Sequence, residues 1–186
     1  MGERIMAVLK IISVPQKYAD SLVYQQLLDY IMRADKTPNS YIDGFAVHPQ
    51  YAAEEMQTVS AIYGQNRGVR LRHWIISFER NELPDAWHAN QFAQMACRFY
   101  ADTYQIVYAV HEDVAHLHIH FVMNMISYLD GKRYAGKKKD FYDYLNDLQE
   151  IASLFGTYII RVKDDYSSQK ISPFAANDSL RPLGSR

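Results

Sequence analysis

The chain has 186 residues, of which 48% are hydrophobic and 22% are charged, and its net charge is −1 at pH 7. This size and apolar content are typical of one compact domain and argue against a disordered chain. The near-neutral charge indicates no general affinity for nucleic acid, so such a site would need local clusters of cations. The single cysteine, Cys97, excludes an internal disulfide, and we expect a buried thiol in a protein of the reducing cytoplasm. No apolar run reaches the ~18 residues of a membrane span, so we expect no membrane association.

Strand-like and helix-like segments alternate along the chain. The hydrophobic periodicity predicts nine elements: strands over 6–13, 70–80, 104–111, 116–126 and 156–162, and helices over 18–33, 50–63, 84–101 and 138–155. The third and fourth strands are separated by a short turn, which favours a hairpin. We therefore predict a mixed α+β fold with an antiparallel centre rather than a doubly wound parallel sheet.

Four of the seven histidines lie in one short segment, VHEDVAHLHIHFVMN, at residues 110–124. Because residues i, i+2 and i+4 of a strand share a face, His116, His118 and His120 would point one way while the apolar residues between them enter a core. A hairpin turn at 112–115 would bring His111 beside the same face. The segment therefore predicts that several imidazoles converge.

Converging imidazoles favour a metal site, because imidazole is the commonest metal ligand in proteins. Three ligands on one side leave positions open for water or substrate, as catalytic sites require. Asp113 lies in the turn, where its carboxylate could accept a hydrogen bond from a ligand ring. The alternative is a polar sheet face with solvated histidines, but four histidines backed by an apolar face favour the metal site.

The string H-E-D-x-x-H-L-H-I-H-F-x-x-N resembles the third motif of relaxases, the mobilisation nucleases of the HUH endonuclease superfamily. The pattern of that family is H-x-D-T-x-N-L-H-I-H-I-x-x-N. The resemblance implies that His111, His118 and His120 are the metal ligands. His116 stands at the usual Asn position and is not expected to be a ligand, and Val114 replaces the common Thr.

Two earlier segments resemble the other motifs of the same family. LLDYIMRADKT (27–37) is similar to the first motif, a helix with Y-I followed by K-T, whose tyrosine is the nucleophile; this implies Tyr30. Tyr41 is the next candidate, Tyr24 would lie on a different side of the helix, and some relatives use a histidine nucleophile.

RHWIISFERNELP (72–84) is similar to the H-x-x-x-S-F-x-x-x-E segment of the family's second motif. It matches four positions: His73, Ser77, Phe78 and Glu82. Ser77 could bond a DNA phosphate or another site residue, or it could be an ordinary strand serine.

The resemblance implies a five-stranded antiparallel sheet flanked by helices. It implies nicking of single-stranded DNA at an origin of transfer through a 5′-phosphotyrosine, with Mn or Mg as the ion. It also implies accessory mobilisation proteins and a coupling protein as partners. We expect residues 1–165 to form the nicking domain and 166–186 a tail or linker, and relaxases commonly carry further C-terminal domains.

Two basic clusters could contact DNA phosphates, as a basic groove with aromatic side chains does. GKRYAGKKK (131–139) surrounds Tyr134, and NRGVRLRH (66–73) overlaps the start of the strand predicted over 70–80. Their cations are Lys132, Arg133, Lys137, Lys138 and Lys139 in the first cluster and Arg67, Arg70 and Arg72 in the second. The alternative for each cluster is an ordinary solvated surface.

Three other functions compete with a relaxase. A rolling-circle replication initiator would share the chemistry, but such initiators usually place the tyrosine after the histidines. A catalytically inactive DNA-binding homologue would not need the intact histidines and Tyr30. A small-molecule metal hydrolase would be favoured if the basic clusters lie away from the metal face.

Overall fold

The computed structural model describes residues 6–12, 18–112 and 116–161. It contains six strands and four α-helices within these ranges. The strands are β1 (Ala7–Ile12), β2 (Ile42–Phe45), β3 (Leu71–Ser77), β4 (Ile106–His111), β5 (His118–Asn124) and β6 (Ile159–Arg161). The helices are α1 (Val23–Ile31), α2 (Ala52–Ile62), α3 (Ala86–Ala101) and α4 (Lys138–Leu154). The predicted domain boundary at 165 and the tail 166–186 lie outside the described residues.

The strands form one sheet in the order β2-β4-β5-β3-β1-β6. Every neighbouring pair is antiparallel except β1 and β6, which run parallel. The predicted α+β class and antiparallel centre are therefore confirmed. The strand number differs: all five predicted strands are present, and β2 is a sixth. Asp43 and Gly44 hide β2 from a pattern search, because both residue types are rare in strands.

The two faces of the sheet are covered by different helices. Helices α3 and α4 cover the face that carries Trp74 and Phe121, whose rings stack with centroids 5.2 Å apart. Helices α1 and α2 pack beside each other on the opposite face, where Val107 and Val122 are buried. Cys97 of α3 is fully buried, as the sequence predicts. Among the described residues, no helix is both long enough and apolar enough to cross a bilayer.

Glu82, which the second motif matches, stabilises the loop that follows β3. One of its carboxylate oxygens accepts a hydrogen bond from the backbone N–H of Glu79, and the other accepts one from the hydroxyl of Thr157, just before β6. Burial raises the pKa of Glu82 above its usual range, against the opposing effect of these two hydrogen bonds. The contacts of Glu82 therefore join the end of β3 to the edge of the sheet.

Asn124, at the end of β5, connects three parts of the chain. Its buried amide nitrogen donates to the carbonyl of Met56 in α2 and to the side-chain oxygen of Gln105, both at 3.0 Å. Its side-chain oxygen accepts a hydrogen bond of 3.2 Å from the backbone N–H of Ile126. A small polar side chain thus fixes α2 against the sheet.

We expect Asn124→Ala to lower the free energy of unfolding by about 3 kcal/mol, because it removes the hydrogen-bond partner of the Gln105 side-chain oxygen and of the Ile126 N–H. The measurement is urea unfolding followed by circular dichroism. Asn146→Ala is the matched control, since Asn146 is exposed on α4. The control should change the free energy by less than about 0.5 kcal/mol. Equal effects of the two substitutions would contradict the role given to Asn124.

Candidate metal centre and its tyrosine

Three histidines meet where β4 ends and β5 begins. His111 lies directly opposite His118 in the β4–β5 register, and His120 lies two residues further along the same face of β5. One ring nitrogen of each lies within 4.8 Å of the others. His111 and His120 are buried, and His118 is half-buried. Alternation along β5 and the strand pairing together produce this cluster, while His116 is exposed and lies outside it.

The ring of His111 is oriented by helix α1. Its Nε2 donates a hydrogen bond of 2.7 Å to the backbone carbonyl of Ile31, the last residue of the helix. The last four carbonyls of a helix lack partners within the helix, so this carbonyl is available to accept. A proton fixed on Nε2 leaves Nδ1 of the neutral ring as the metal-ligating atom.

The ring of His120 is oriented by two buried side chains. Its Nδ1 lies 2.9 Å from Nε2 of His73, and Nδ1 of His73 lies 3.1 Å from the hydroxyl of Tyr18. A neutral imidazole carries one N–H, so His120 can donate through Nδ1 to His73 and keep Nε2 for a metal ion. His73 can then donate through its own Nδ1 to Tyr18. His73 and Tyr18 are thus positioning residues for a candidate ligand.

Burial favours the neutral form of His73 and His120, and metal ligation requires a neutral imidazole. Burial, followed by the nearby charge of His111, lowers the pKa of His73 to about 3. Burial also lowers the pKa of His120 well below its usual value, and the neighbouring histidines act in the same direction. Protons therefore compete weakly for His120 at neutral pH.

The three imidazoles fit a divalent metal ion. Three nitrogen ligands that approach from one side resemble the protein share of a catalytic metal site, which keeps a position for water or substrate. Imidazole suits Mn, Co, Ni and Zn, and phosphate oxygens would make Mg acceptable as well. The cluster could therefore hold a divalent metal ion.

Tyr30 lies directly against this cluster. It belongs to the last turn of α1, and its ring centroid lies 5.7 Å from that of His120 and 6.5 Å from that of His111. Tyr24 is instead buried between α1 and α2, where its hydroxyl contacts that of Ser60 at 2.9 Å. Tyr41 packs against the core on the α3 and α4 side. Of these three candidates, the structure brings only Tyr30 to the histidines.

Two lysines near the cluster were not identified from the sequence. Lys36 is buried, and its ammonium lies 5.7 Å from the centre of the Tyr30 ring. Its carbonyl accepts a hydrogen bond from the backbone N–H of Glu112, next to His111. Lys10 is exposed on β1. It pairs with Ile75 of β3, which pairs with His120 of β5, so Lys10 lies on the face of the sheet that carries the histidines. The K-T pair of the first motif was the available signal for Lys36, and alternation along β1 was the signal for Lys10.

Ser77 lies on the face of the sheet that carries the histidines. It pairs with His118 across β3 and β5 and is half-buried, so it borders the cluster. Asp113 lies outside the described residues.

The basic clusters lie away from the three histidines. Arg72 points to the opposite face, where its guanidinium lies 4.9 Å from the centre of the Tyr134 ring. Arg70 and Arg133 donate to backbone carbonyls of the segment 65–69, and Arg70 also donates to Ala19. Lys132 pairs with Asp130, Lys139 pairs with Asp143, and Arg67, Lys137 and Lys138 are exposed. The structure thus gives Arg70 and Arg133 a positioning role in their loops.

The sequence of residues 30–156 matches the family described as relaxase, MobA/VirD2-like, nuclease domain. The chain belongs to this family. The match begins at Tyr30 and includes all three clustered histidines. Tyr30 and the clustered histidines thus both lie within the region that matches the family.

Two similar proteins of Staphylococcus aureus agree with this assignment. The relaxase domain is 29% identical over 99 residues to a protein named rlx from Staphylococcus aureus, covering 52% of this chain and 31% of that protein. A second protein named rlx from the same species is 29% identical over 101 residues, covering 54% and 30%. The aligned region thus spans about a third of the length of these relatives.

A solved structure described as the molecular basis of vancomycin resistance transfer in Staphylococcus aureus superposes with a TM-score of 0.50. The match covers 87% of this chain and all of that one, at 13% identity. At that identity the likeness concerns the fold.

We expect the double substitution His118→Ala/His120→Ala to weaken Mn²⁺ binding by more than about 100-fold. Loss of a residue that only orients a ligand typically costs about 10–100-fold, and this variant removes two ligands. Isothermal titration calorimetry measures the dissociation constant. The matched control is His48→Ala/His88→Ala, since these histidines bond Glu55 and Asp85 outside the cluster. Equal losses in both double variants would place the metal elsewhere.

We expect His73→Phe to weaken metal binding by about 10–100-fold, because it keeps an aromatic ring but removes the acceptor that fixes His120. Tyr18→Phe should have a smaller effect, since it removes only the outer end of the hydrogen-bonded chain. Calorimetry gives the affinities, and thermal unfolding confirms that both variants are folded. Unchanged affinity in a folded His73→Phe protein would show that His73 does not position His120.

Proposed function

We propose that this relaxase domain nicks single-stranded DNA at an origin of transfer, with Tyr30 as the nucleophile and His111, His118 and His120 as the ligands of Mn²⁺ or Mg²⁺. The observation that supports it best is the position of Tyr30. Its ring contacts two of the three histidines, and the next residue, Ile31, supplies the carbonyl that orients His111. Nucleophile and ligands therefore occupy one rigid unit, as in-line attack requires.

The proposed step conserves the number of phosphodiester bonds. The Tyr30 oxygen forms a bond to phosphorus, and the bond from phosphorus to the 3′ oxygen of the preceding nucleotide breaks. The phenol loses its proton, and the departing oxygen gains one to become a free 3′ hydroxyl. Because the tyrosyl phosphodiester retains the energy of the broken bond, the reverse reaction can rejoin a strand. When bound, a divalent ion supplies Lewis-acid stabilisation of the phosphate oxygens.

The chain's own residues assist this step in three ways. The pKa of a tyrosine hydroxyl is ordinarily ~10, so attack near neutral pH benefits from nearby positive charge. Lys36 supplies such a charge beside the Tyr30 ring. Lys10 supplies another on the face of the sheet that carries the histidines. Ser77 borders His118 and is a donor for a phosphate oxygen. We also assign Asp113, next to this site in the sequence, a role in orienting a ligand.

We propose that the DNA extends beyond this centre to the basic clusters. Lys137 and Lys138 are exposed, and the ion pairs of Lys132 and Lys139 lie at the surface, where phosphate can replace the carboxylate partner. Arg72 also belongs to the proposed DNA-binding surface, because its guanidinium lies beside the Tyr134 ring. Arg67, Arg70 and Arg133 support the adjacent loop. Binding of this kind should weaken steeply with salt. Accessory mobilisation proteins and a coupling protein are the proposed macromolecular partners.

Family membership favours a relaxase over the alternatives. The match to MobA/VirD2-like relaxases, and the position of Tyr30 before the histidines, disfavour a rolling-circle initiator. An inactive homologue would have no need to keep Tyr30 beside three clustered histidines. The basic clusters lie away from the metal face, which by itself favours a small-molecule hydrolase; the family match outweighs that feature and supports DNA as the substrate.

We expect Tyr30→Phe to abolish the covalent adduct between the protein and a labelled single-stranded origin oligonucleotide, because the substitution removes only the attacking oxygen. The adduct is measured on a denaturing gel with Mn²⁺, with Mg²⁺ and with chelator. Tyr41→Phe is the matched control and should form wild-type amounts of adduct. An adduct that persists in Tyr30→Phe would transfer the nucleophile to another residue, and absence of an adduct from the wild-type protein on origin DNA would contradict the proposed reaction.

A further inference from the structure

A cavity of about 500 Å³ opens at the far end of β3 from the histidine cluster. It lies between Leu71 and Arg72 of β3, the end of β1, the segment 134–136 and the first turns of α4. This volume is within the range of small-molecule pockets, about 300–1,000 Å³. The cavity is therefore large enough for one nucleotide unit.

The cavity walls combine cations with aromatic rings. Arg72 lies 4.9 Å from the centre of the Tyr134 ring, and Arg161 lies 4.5 Å from that of Phe141. The ammonium of Lys138 lies 5.8 Å from the centre of the Tyr142 ring, which is 47% exposed. Among the described residues that line the cavity, none is an aspartate or a glutamate. The chemistry of the walls thus complements a ligand that is both anionic and aromatic.

We propose that this cavity binds one nucleotide of a single DNA strand, with the base against Tyr142 and the phosphate among Arg72, Lys138 and Arg161. Stacking of bases on aromatic side chains beside cations is the general way in which proteins hold single strands without reading their sequence. Apolar ligands would leave three cations uncompensated, and a simple anion would not use the aromatic walls. The inference rests on the proposed DNA substrate and specifies a second contact for it.

The cavity and the candidate metal centre are structurally connected. Tyr18 lines the cavity, and its hydroxyl bonds His73, which in turn bonds His120. The length of β3 separates the two sites by roughly 20 Å, at about 3.3 Å per residue. One extended strand can therefore place a phosphate at the histidines and a base in the cavity, several nucleotides apart.

The test is fluorescence anisotropy with a labelled oligothymidylate, in chelator, so that binding is measured without nicking. We expect Tyr142→Ala and Lys138→Ala each to weaken binding by about 10-fold. The matched controls are Tyr51→Ala, an exposed tyrosine outside this cavity, and Arg98→Ala, an exposed cation of α3 that does not line it. The controls should change affinity by less than about 3-fold, and thermal unfolding should show that all four variants are folded.

A second arm uses an oligonucleotide of abasic deoxyribose units. The effect of Tyr142→Ala should disappear on this strand, whereas that of Lys138→Ala should remain. Equal losses for Lys138→Ala and Arg98→Ala, an undiminished Tyr142→Ala effect on the abasic strand, or full affinity in both cavity variants would each overturn the inference. Competition by deoxythymidine monophosphate, at the concentrations used for the oligonucleotide, would assign the cavity to a free nucleotide. That result would also contradict the inference.

The parallel adduct assay separates this inference from the proposed reaction. Wild-type adduct formation combined with full DNA affinity in the cavity variants would overturn only the nucleotide cavity. Cavity-dependent binding without an adduct from the wild-type protein would overturn only the nicking reaction.

Discussion

The hydrogen bond from His111 to the carbonyl of Ile31 is the contact on which the geometry of the site depends. It joins the end of α1 to the end of β4, two elements that are far apart in the sequence. Tyr30 precedes the accepting residue, so the same contact fixes the distance between the candidate nucleophile and the candidate ligands. A helix that ended one residue earlier or later would offer its last carbonyls at a different angle.

The sheet supplies the second constraint, which is alternation. Alternation along β5 places the site residues on one face and the core under α3 and α4 on the other: His118 and His120 alternate with Ile119 and Phe121. A slip of one residue would move the imidazoles into the core, so the packing under α3 and α4 also fixes the register of the candidate metal centre. Stability and site geometry are therefore determined by the same residues.

Much of this arrangement could be predicted from the sequence, because its main signals are local. Strand alternation predicted that His118 and His120 share a face, and the short turn predicted His111 beside them. The short strand β2 was missed because Gly44 and its neighbours lack an apolar pattern. All five predicted strands and all four predicted helices are present, with ends that differ by a few residues.

The contacts missed from the sequence are those between distant segments. The chain from His120 through His73 to Tyr18 joins residues separated by 47 and 55 positions, and no local pattern indicates such a contact. The position of Lys36 beside Tyr30 depends on how the chain turns after α1. The direction of Arg72, toward the aromatic cavity and away from the histidines, follows from the β3 register, which only strand pairing reveals.

In the proposed site, three histidines hold a metal ion directly beside Tyr30. The most direct measurement is a crystal structure of the protein with Mn²⁺, in which anomalous diffraction locates the ion. We predict one strong anomalous peak, from an ion that is bonded to Nδ1 of His111, Nε2 of His120 and one ring nitrogen of His118. The Tyr30 hydroxyl should face this ion. A fully occupied ion at other residues, or a protein saturated with Mn²⁺ that shows no peak among these histidines, would contradict the account.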